Sequence, residues 1–238
     1  MLSLTCLPDS VGFLVALTSL TLSWWRGLLS HVCQPDSVGS LVALTSLNLS
    51  NCYALTCLPD SVGSLVALAI FTLSSCHALT CLPDSVGSLV AATSLDLSSC
   101  LSLTCLPDSV GSLVALTSLT LASCRALTCL PDTVGSLVLL TSLDLRDCYA
   151  LTCLPDSVGS LVALTSRLDL SECRALTCLP DSVGSLVLLT SLDLRDCHDA
   201  LTCLPDPVGS LVVLTSLTLA SYHALTCLPD SAWLWVLS

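Results

Sequence analysis

A Pro-Asp pair recurs along the whole chain, and its spacing constrains the fold more than any other feature. The proline lies at positions 8, 35, 59, 83, 107, 131, 155, 180, 205 and 229, so successive pairs are 27, then five times 24, twice 25, and finally 24 residues apart. One unit, residues 44–67, reads LTSLNLSNCYALTCLPDSVGSLVA. A fixed period of this length is typical of stacked structural repeats, not of one compact core.

The apolar residues of this unit predict a short strand followed by a return segment. Leu47 and Leu49 alternate with polar neighbours, as in a strand with one buried face. Cys52 is expected where the chain turns inward. Leu55 and Leu58 are expected to point back to the core.

The end of the return segment predicts a helical turn. Pro59 should end strand pairing, and Asp60 is expected to cap a turn that contains Val62 and Leu65. In one unit the residue after this aspartate is a proline, Pro207, which is tolerated in the first turn of a helix.

A single unit cannot bury its own leucines, so stacking predicts a continuous apolar ladder under a parallel sheet. The predicted fold is an α/β repeat solenoid: a curved, right-handed horseshoe with strands on the concave face and short 3-10 or helical turns and loops on the convex face. The array should span residues 1–231, with an irregular segment at 23–34 and a non-repeat tail at 232–238. Nine strands are expected around Leu20, Leu47, Phe71, Leu95, Leu119, Leu143, Leu168, Leu192 and Leu217.

The pattern L-x-x-L-x-L-x-x-C, followed by L-x-x-L-P-D-S-V-G-x-L, resembles the leucine-rich repeats of plant-type intracellular immune receptors. It is also similar to tandem leucine-rich repeats of algal and other protist proteins. The resemblance implies the horseshoe fold and matches only the sensor part of those receptors. It implies binding of another protein, without a cofactor.

Charge and hydropathy exclude several classes of partner. The net charge is −12, with six arginines and no lysine, so no basic face can attract nucleic acid or anionic lipid. Residues 37–59 carry no charge, but the same polar residues recur through every unit, which argues against a membrane span. The N-terminus lacks the basic region of a signal peptide. We therefore expect a soluble, cytoplasmic protein.

The 17 cysteines form two columns at the repeat spacing. The inner column should be buried, with each thiol donating a weak hydrogen bond to the next backbone; it comprises Cys52, Cys76, Cys100, Cys124, Cys148, Cys173 and Cys197. The outer column should face outward; it comprises Cys6, Cys33, Cys57, Cys81, Cys105, Cys129, Cys153, Cys178, Cys203 and Cys227. A soft-metal or disulfide ladder is conceivable there, but no C-x-x-C pair or interleaved histidine occurs, so no metal site is predicted.

Charged residues cluster on the predicted exposed face of three successive strands. Three aspartates stand in one column, two arginines follow two residues further on, and three further acids lie beside them. These residues are Asp144, Arg146, Asp147, Asp169, Glu172, Asp193, Arg195 and Asp196. The arginines should offset repulsion between stacked carboxylates. The cluster is either a self-neutralised solvated face, a partner-binding patch or a cation site, and partner binding is the function considered for it.

The register breaks in the irregular segment 23–34, in the tail after Ser231, and at two single inserted residues, Arg167 and Asp199. Arg167 adds one residue before Leu168, which a bulge must absorb to keep later side chains on their faces. All four tryptophans lie in the irregular segment and the tail. Neither end carries a recognisable cap, so the array is expected to be part of a longer one or to associate end to end.

No nucleophile–base pair can be traced, so the chain is predicted not to be an enzyme. The leading hypothesis is a non-enzymatic interaction module or scaffold that binds a partner along the concave sheet. The alternatives are a fragment of a receptor ectodomain, or a recently expanded repeat without a dedicated function. The expanded-repeat alternative is suggested by the Thr-Ser pair before each strand, which hardly varies between units.

Overall fold

The computed structural model of the chain describes residues 12–23, 36–197 and 200–219. Nine strands of three residues form one parallel sheet in sequence order. They are β1 Ser19–Thr21, β2 Ser46–Asn48, β3 Ile70–Thr72, β4 Ser94–Asp96, β5 Ser118–Thr120, β6 Ser142–Asp144, β7 Arg167–Asp169, β8 Ser191–Asp193 and β9 Ser216–Thr218. Each strand is centred on its predicted residue, which confirms the predicted parallel solenoid.

The central residue of each strand builds the apolar ladder. Leu47 pairs with Phe71, and Leu95 pairs with Leu119, so like positions stack from unit to unit. Leu119 is fully buried. Burying one such leucine contributes about 1.5–3 kcal/mol relative to exposure. Because its neighbours belong to the units on either side, no unit has a core of its own.

A 3-10 helix follows each return segment. These helices are Asp36–Ser40, Asp60–Ser64, Asp84–Ser88, Asp108–Ser112, Asp132–Ser136, Asp156–Ser160, Asp181–Ser185 and Asp206–Ser210. The predicted capping role of Asp60 was wrong: this residue is the first of its helix, the extended Pro59 precedes it, and no side chain caps the helix. The helix begins at Asp60, one residue earlier than a capping role for Asp60 requires. Pro59, which cannot donate to a strand ladder, occupies the position before the helix in its place. Pro207 lies in the first turn, as predicted.

The glycines of the 3-10 helices are contact points between units. A Cβ on Gly111 would lie 2.5 Å from the carbonyl oxygen of Thr133 and 2.6 Å from its Cβ. At Gly63 the same atom would lie 2.6 Å from the carbonyl oxygen of Ser85. The backbone φ is ordinary at these glycines, so the absence of a side chain is what matters. The units can stack this closely only because these residues are glycine.

The extra residue near Arg167 is absorbed before the strand begins. Ser166 forms a bend, and Leu168 still pairs with Leu143 and Leu192. Arg167 therefore occupies the first strand position, where most units have serine. Pairing between β6 and β7 covers two residue pairs, against three at the neighbouring β7–β8 junction. The predicted bulge thus leaves the apolar register intact.

Several predictions fall outside the described residues. The tail 232–238, most of the irregular segment 23–34, all four tryptophans and three outer cysteines lie there. The proposed domain limits and end-to-end association therefore stay predictions. Within the described ranges, no helix has the length and hydropathy to cross a bilayer.

Candidate partner-binding site

The aspartates at the ends of three strands shape the turns that follow. Each accepts a hydrogen bond from the backbone N–H two residues on, and this contact is 3.1 Å at Asp144, 3.0 Å at Asp169 and 3.1 Å at Asp193. Asn48 and Asp96 make the same bond at β2 and β4. Such side-chain-to-backbone bonds stabilise tight turns. The column therefore has a structural role in addition to any role in binding.

Two of the three aspartates are buried, contrary to the open face that the sequence predicted for them. Asp169 is 4% exposed and Asp193 is 3% exposed, whereas Asp144 is partly exposed. Arg167 covers both buried carboxylates: its Nη2 lies 3.0 Å from Asp169 and also contacts Asp193. Arg195 adds a second ion pair to Asp193 at 2.9 Å. The arginines thus form the outer surface, and the carboxylates lie beneath them.

The aspartates at the two ends of this column have opposite pKa shifts. Burial raises the pKa of Asp144, although the hydrogen bond from the Arg146 backbone and the charge of Arg146 act against it. Burial would also raise the pKa of Asp193. There, the hydrogen bonds from Arg195, its charge and the charge of Arg167 together outweigh burial and hold the pKa below its usual value. The hydrogen bonds from Arg195 are therefore the largest contribution that keeps Asp193 charged.

A shallow depression of about 110 Å³ lies where β6 meets β7. Arg167 reaches toward β8, whereas Arg146 pairs within its own unit with Asp144 at 3.5 Å. The two guanidiniums therefore leave a gap between the strands that carry them. The lining residues are Ser142, Leu143, Asp144, Arg146, Arg167 and Asp169.

An arginine–tyrosine–arginine stack lies on the turns after the same strands. The guanidinium carbon of Arg125 is 5.0 Å from the centre of the Tyr149 ring, and that of Arg174 is 4.7 Å from it. Glu172 contacts the Tyr149 hydroxyl at 3.4 Å and pairs with Arg174 at 3.0 Å. Cation–π contacts of this kind contribute about 0.5–1 kcal/mol each at exposed sites. The stack is therefore preorganised before any partner arrives.

The three further acids of the predicted site occupy a strained turn. Asp147, Glu172 and Asp196 have φ of 58°, 59° and 57°, a left-handed conformation that side chains other than glycine adopt at a cost. The N–H of Asp147 donates to the carbonyl of Ser171 at 2.8 Å, and that of Glu172 donates to Arg195 at 2.7 Å. These bonds to the next unit hold the turn in place. The three acids lie beside the aspartate column, as predicted, but on turns.

We define the arginine patch as Arg125, Arg146, Tyr149, Arg167, Arg174 and Arg195. All five arginines are exposed. Sequence reasoning selected only Arg146 and Arg195 and considered Arg167 solely as an insertion. The sequence does indicate where the patch lies, because five of the six arginines of the chain lie between residues 125 and 195.

Comparisons with known proteins agree with the architecture. The Leucine Rich Repeat family model matches residues 43–65. The leucine-rich repeat domain of the type III effector XopL is 30% identical, with a TM-score of 0.78 over 93% of this chain and 74% of that one. A leucine-rich repeat protein of Leptospira interrogans is 26% identical, with a TM-score of 0.59 over 97% of this chain and 67% of that one.

A chain of the Toll–Spatzle complex of Drosophila shares the fold, at 22% identity and a TM-score of 0.57 over 95% of this chain and 33% of that one. The search of curated proteins found no match. The narrower resemblance to plant-type immune receptors stays a prediction. The leucine-rich repeat fold generally mediates protein–protein interactions and is typically non-enzymatic. By its repeat, its parallel sheet and its similarity to the XopL domain, the chain belongs to the leucine-rich repeat family.

Proposed function

We propose that the chain is a non-enzymatic binding module that recognises another protein through the arginine patch. The observation that carries this proposal is the collection of exposed guanidiniums and a stacked tyrosine on neighbouring strands and turns, with Arg146 and Arg167 lining the depression. Arginine and tyrosine are the residue types that most often dominate binding energy at protein interfaces, together with tryptophan. The rest of the strand face is mainly serine and threonine, which offers no comparable anchor.

The acids of the site act from beneath the arginines. Asp169 and Asp193 hold Arg167 and Arg195, and Glu172 holds Arg174. Asp144 holds Arg146 in the same way. These four carboxylates restrict the arginine rotamers and so lower the entropy lost on binding.

The chemistry of the patch favours a protein over a nucleic acid. Four of its five arginines already pair with a carboxylate, so few free cations face outward to replace counterions on phosphates. Guanidinium groups in such pairs can still bind carbonyl and carboxylate oxygens and stack on aromatic rings. A partner surface with carbonyl, carboxylate and aromatic groups would fit.

Comparative capture tests this proposal. The patch variant would combine Arg146→Ala, Tyr149→Ala and Arg174→Ala. The matched control would combine His77→Ala, Ser98→Ala and Leu101→Ala, which lie at corresponding positions of other units. We expect at least one protein from extract of the source organism to bind the unmodified chain and the control but not the patch variant.

Calorimetry with that purified binder would then give the affinities. We expect the patch variant to weaken binding at least about tenfold, or about 1.4 kcal/mol, and the control to change it less than about twofold. Equal loss in both variants, or equal retention, would contradict the proposal.

A further inference from the structure

The outer cysteine column forms a row of exposed thiols. Seven of its members lie in the described ranges, and all are exposed and unpaired by disulfides: Cys57, Cys81, Cys105, Cys129, Cys153, Cys178 and Cys203. The inner column, in contrast, is buried. Both results confirm the predicted placement of the two columns.

Backbone pairing sets the spacing of this row. Cys153 and Cys178 are parallel bridge partners. The threonine before each cysteine is hydrogen-bonded to the equivalent threonine of the preceding unit over five successive junctions; these N–H to O distances are 3.2, 3.3, 3.2, 3.1 and 3.0 Å from Thr80 to Thr177. Neighbouring strands in such a ladder lie about 4.8 Å apart. Successive cysteine backbones are therefore at strand spacing.

The side chains repeat the same geometry. The sulfur of each outer cysteine lies 3.7–3.9 Å from the hydroxyl of the preceding threonine in all seven units. Because this contact recurs in every unit, we infer that the thiols point the same way. Thiols that point the same way from backbones at strand spacing stand about 4.8 Å apart. A linear sulfur–metal–sulfur unit needs a separation close to this, which small rotamer changes can supply.

We propose that the outer cysteine column binds soft monovalent metal ions, with Cu(I) as the type case, each held between the thiolates of two successive units. Binding follows Cu⁺ + 2 RSH → [Cu(SR)₂]⁻ + 2 H⁺, without oxidation of sulfur or metal. Thiolates select Cu(I) among the common ions because both are soft. Seven thiols form six neighbouring pairs, of which three can be occupied at once at two thiols per ion.

Two observations define the kind of site. Within the described ranges no group of three or more His, Cys, Asp or Glu residues could hold a metal, which excludes tetrahedral zinc-type sites there and leaves pairs. The sequence pattern argued against metal because it lacks C-x-x-C, but partners here are 24 or 25 residues apart in the chain and adjacent only in the stack. The inner thiols do not compete, since burial raises the pKa of Cys100 and Cys148 to about 12.

Two variants distinguish metal binding by adjacent thiols from metal binding that depends only on the number of thiols. The alternating variant carries Cys57→Ser, Cys105→Ser, Cys153→Ser and Cys203→Ser, so that, of the seven described outer cysteines, no two that remain are adjacent. The block variant carries Cys57→Ser, Cys81→Ser, Cys105→Ser and Cys129→Ser. Each keeps three of the seven thiols, but only the block variant keeps them adjacent. Circular dichroism would verify that both fold.

The reduced full-length chain would be titrated anaerobically with Cu(I) against a chromophoric Cu(I) chelator. We expect the alternating variant to lose at least about tenfold in affinity relative to the block variant, and affinity to rise with pH because protons are released. X-ray absorption should show two sulfur ligands per copper. Equal affinity of the two variants, three or more sulfur ligands, or failure of the unmodified chain to compete with the chelator would overturn the proposal.

Discussion

The 3-10 side and the strand-exit side of this solenoid differ in how much their sequence varies. The segment D-S-V-G-S recurs almost unchanged, with Thr133 and Pro207 as the departures among the described helices. The residue after each inner cysteine is by contrast tyrosine, histidine, leucine or arginine in different units. On the first side, seven glycines of the described helices lie against the next backbone, whereas on the second the described side chains are half-buried or exposed.

This difference explains why near-identical units need not mean absence of function. Thr117 shows the reason: both its N–H and its hydroxyl lie 2.9 Å from the carbonyl oxygen of Thr93. Thr141 makes the same pair of contacts to Thr117. The Thr-Ser pair therefore hardly varies because its threonine makes hydrogen bonds between stacked units. The proposed recognition uses the few positions that stacking leaves free.

The largest effect should come from the shared core. Leu119→Ala is expected to lower the free energy of unfolding by about 2–5 kcal/mol, because it removes buried methyl groups and leaves a cavity between units. Urea unfolding followed by circular dichroism measures it. Since each unit contacts only its neighbours, unfolding should also tend to separate into two steps. A loss below about 1 kcal/mol would contradict the assignment of Leu119 to the core.

A smaller but sharper test concerns the 3-10 side. Gly111→Ala is expected to cost about 1–3 kcal/mol, since the added methyl group meets the backbone of Thr133, which cannot rotate away. Ser112→Ala, at the exposed neighbouring residue, serves as the control and should change stability by less than about 0.5 kcal/mol. If thermal unfolding ranked the two variants in the other order, close stacking would not explain the invariant glycine.

On the strand-exit side, pH should separate two aspartates that look alike in the sequence. The folded-state pKa of Asp193 is lowered, so its charge adds stability above its unfolded pKa of about 3.9, and that stability is lost as pH falls through the folded value. Asp193→Asn should therefore be destabilising near neutral pH, with the difference from the unmodified chain shrinking in acid.

The pH dependence of stability has the opposite sign at Asp144, because the folded-state pKa of Asp144 is raised. Its favourable contribution is present below the unfolded pKa and is lost as pH rises through the folded value. Asp144→Asn should accordingly gain stability relative to the unmodified chain as pH rises toward neutrality. Unfolding midpoints of both variants across the acidic range would check this. Parallel pH profiles would show that the contacts from Arg195 do not distinguish Asp193 from Asp144.

The smallest effect is expected at a buried hydroxyl on the 3-10 side. The Ser157 Oγ is buried without a hydrogen-bond partner, whereas the hydroxyl of Thr133 in the same slot donates to the carbonyl of Asp108 at 2.7 Å. Ser157→Ala should leave stability within about 0.5 kcal/mol or raise it slightly, because no bond is lost. Thr133→Ser would remove a methyl group and leave the hydroxyl freer to rotate away from the Asp108 carbonyl. It should therefore lower the free energy of unfolding more than Ser157→Ala in the same assay.

The sequence by itself determined the strand positions, the buried leucines and the opposite faces of the two cysteine columns. These follow from periodicity within one unit, because the alternation of apolar and polar residues around Leu47 and Leu49 indicates which side chains face inward. The tertiary structure alone decided the contacts between units. The sequence does not show that Arg167 would cover Asp169 and Asp193, or that Gly111 would lie against Thr133. Each depends on how residues about 24 positions apart superpose when units stack, and on the rotamers that this stacking leaves open.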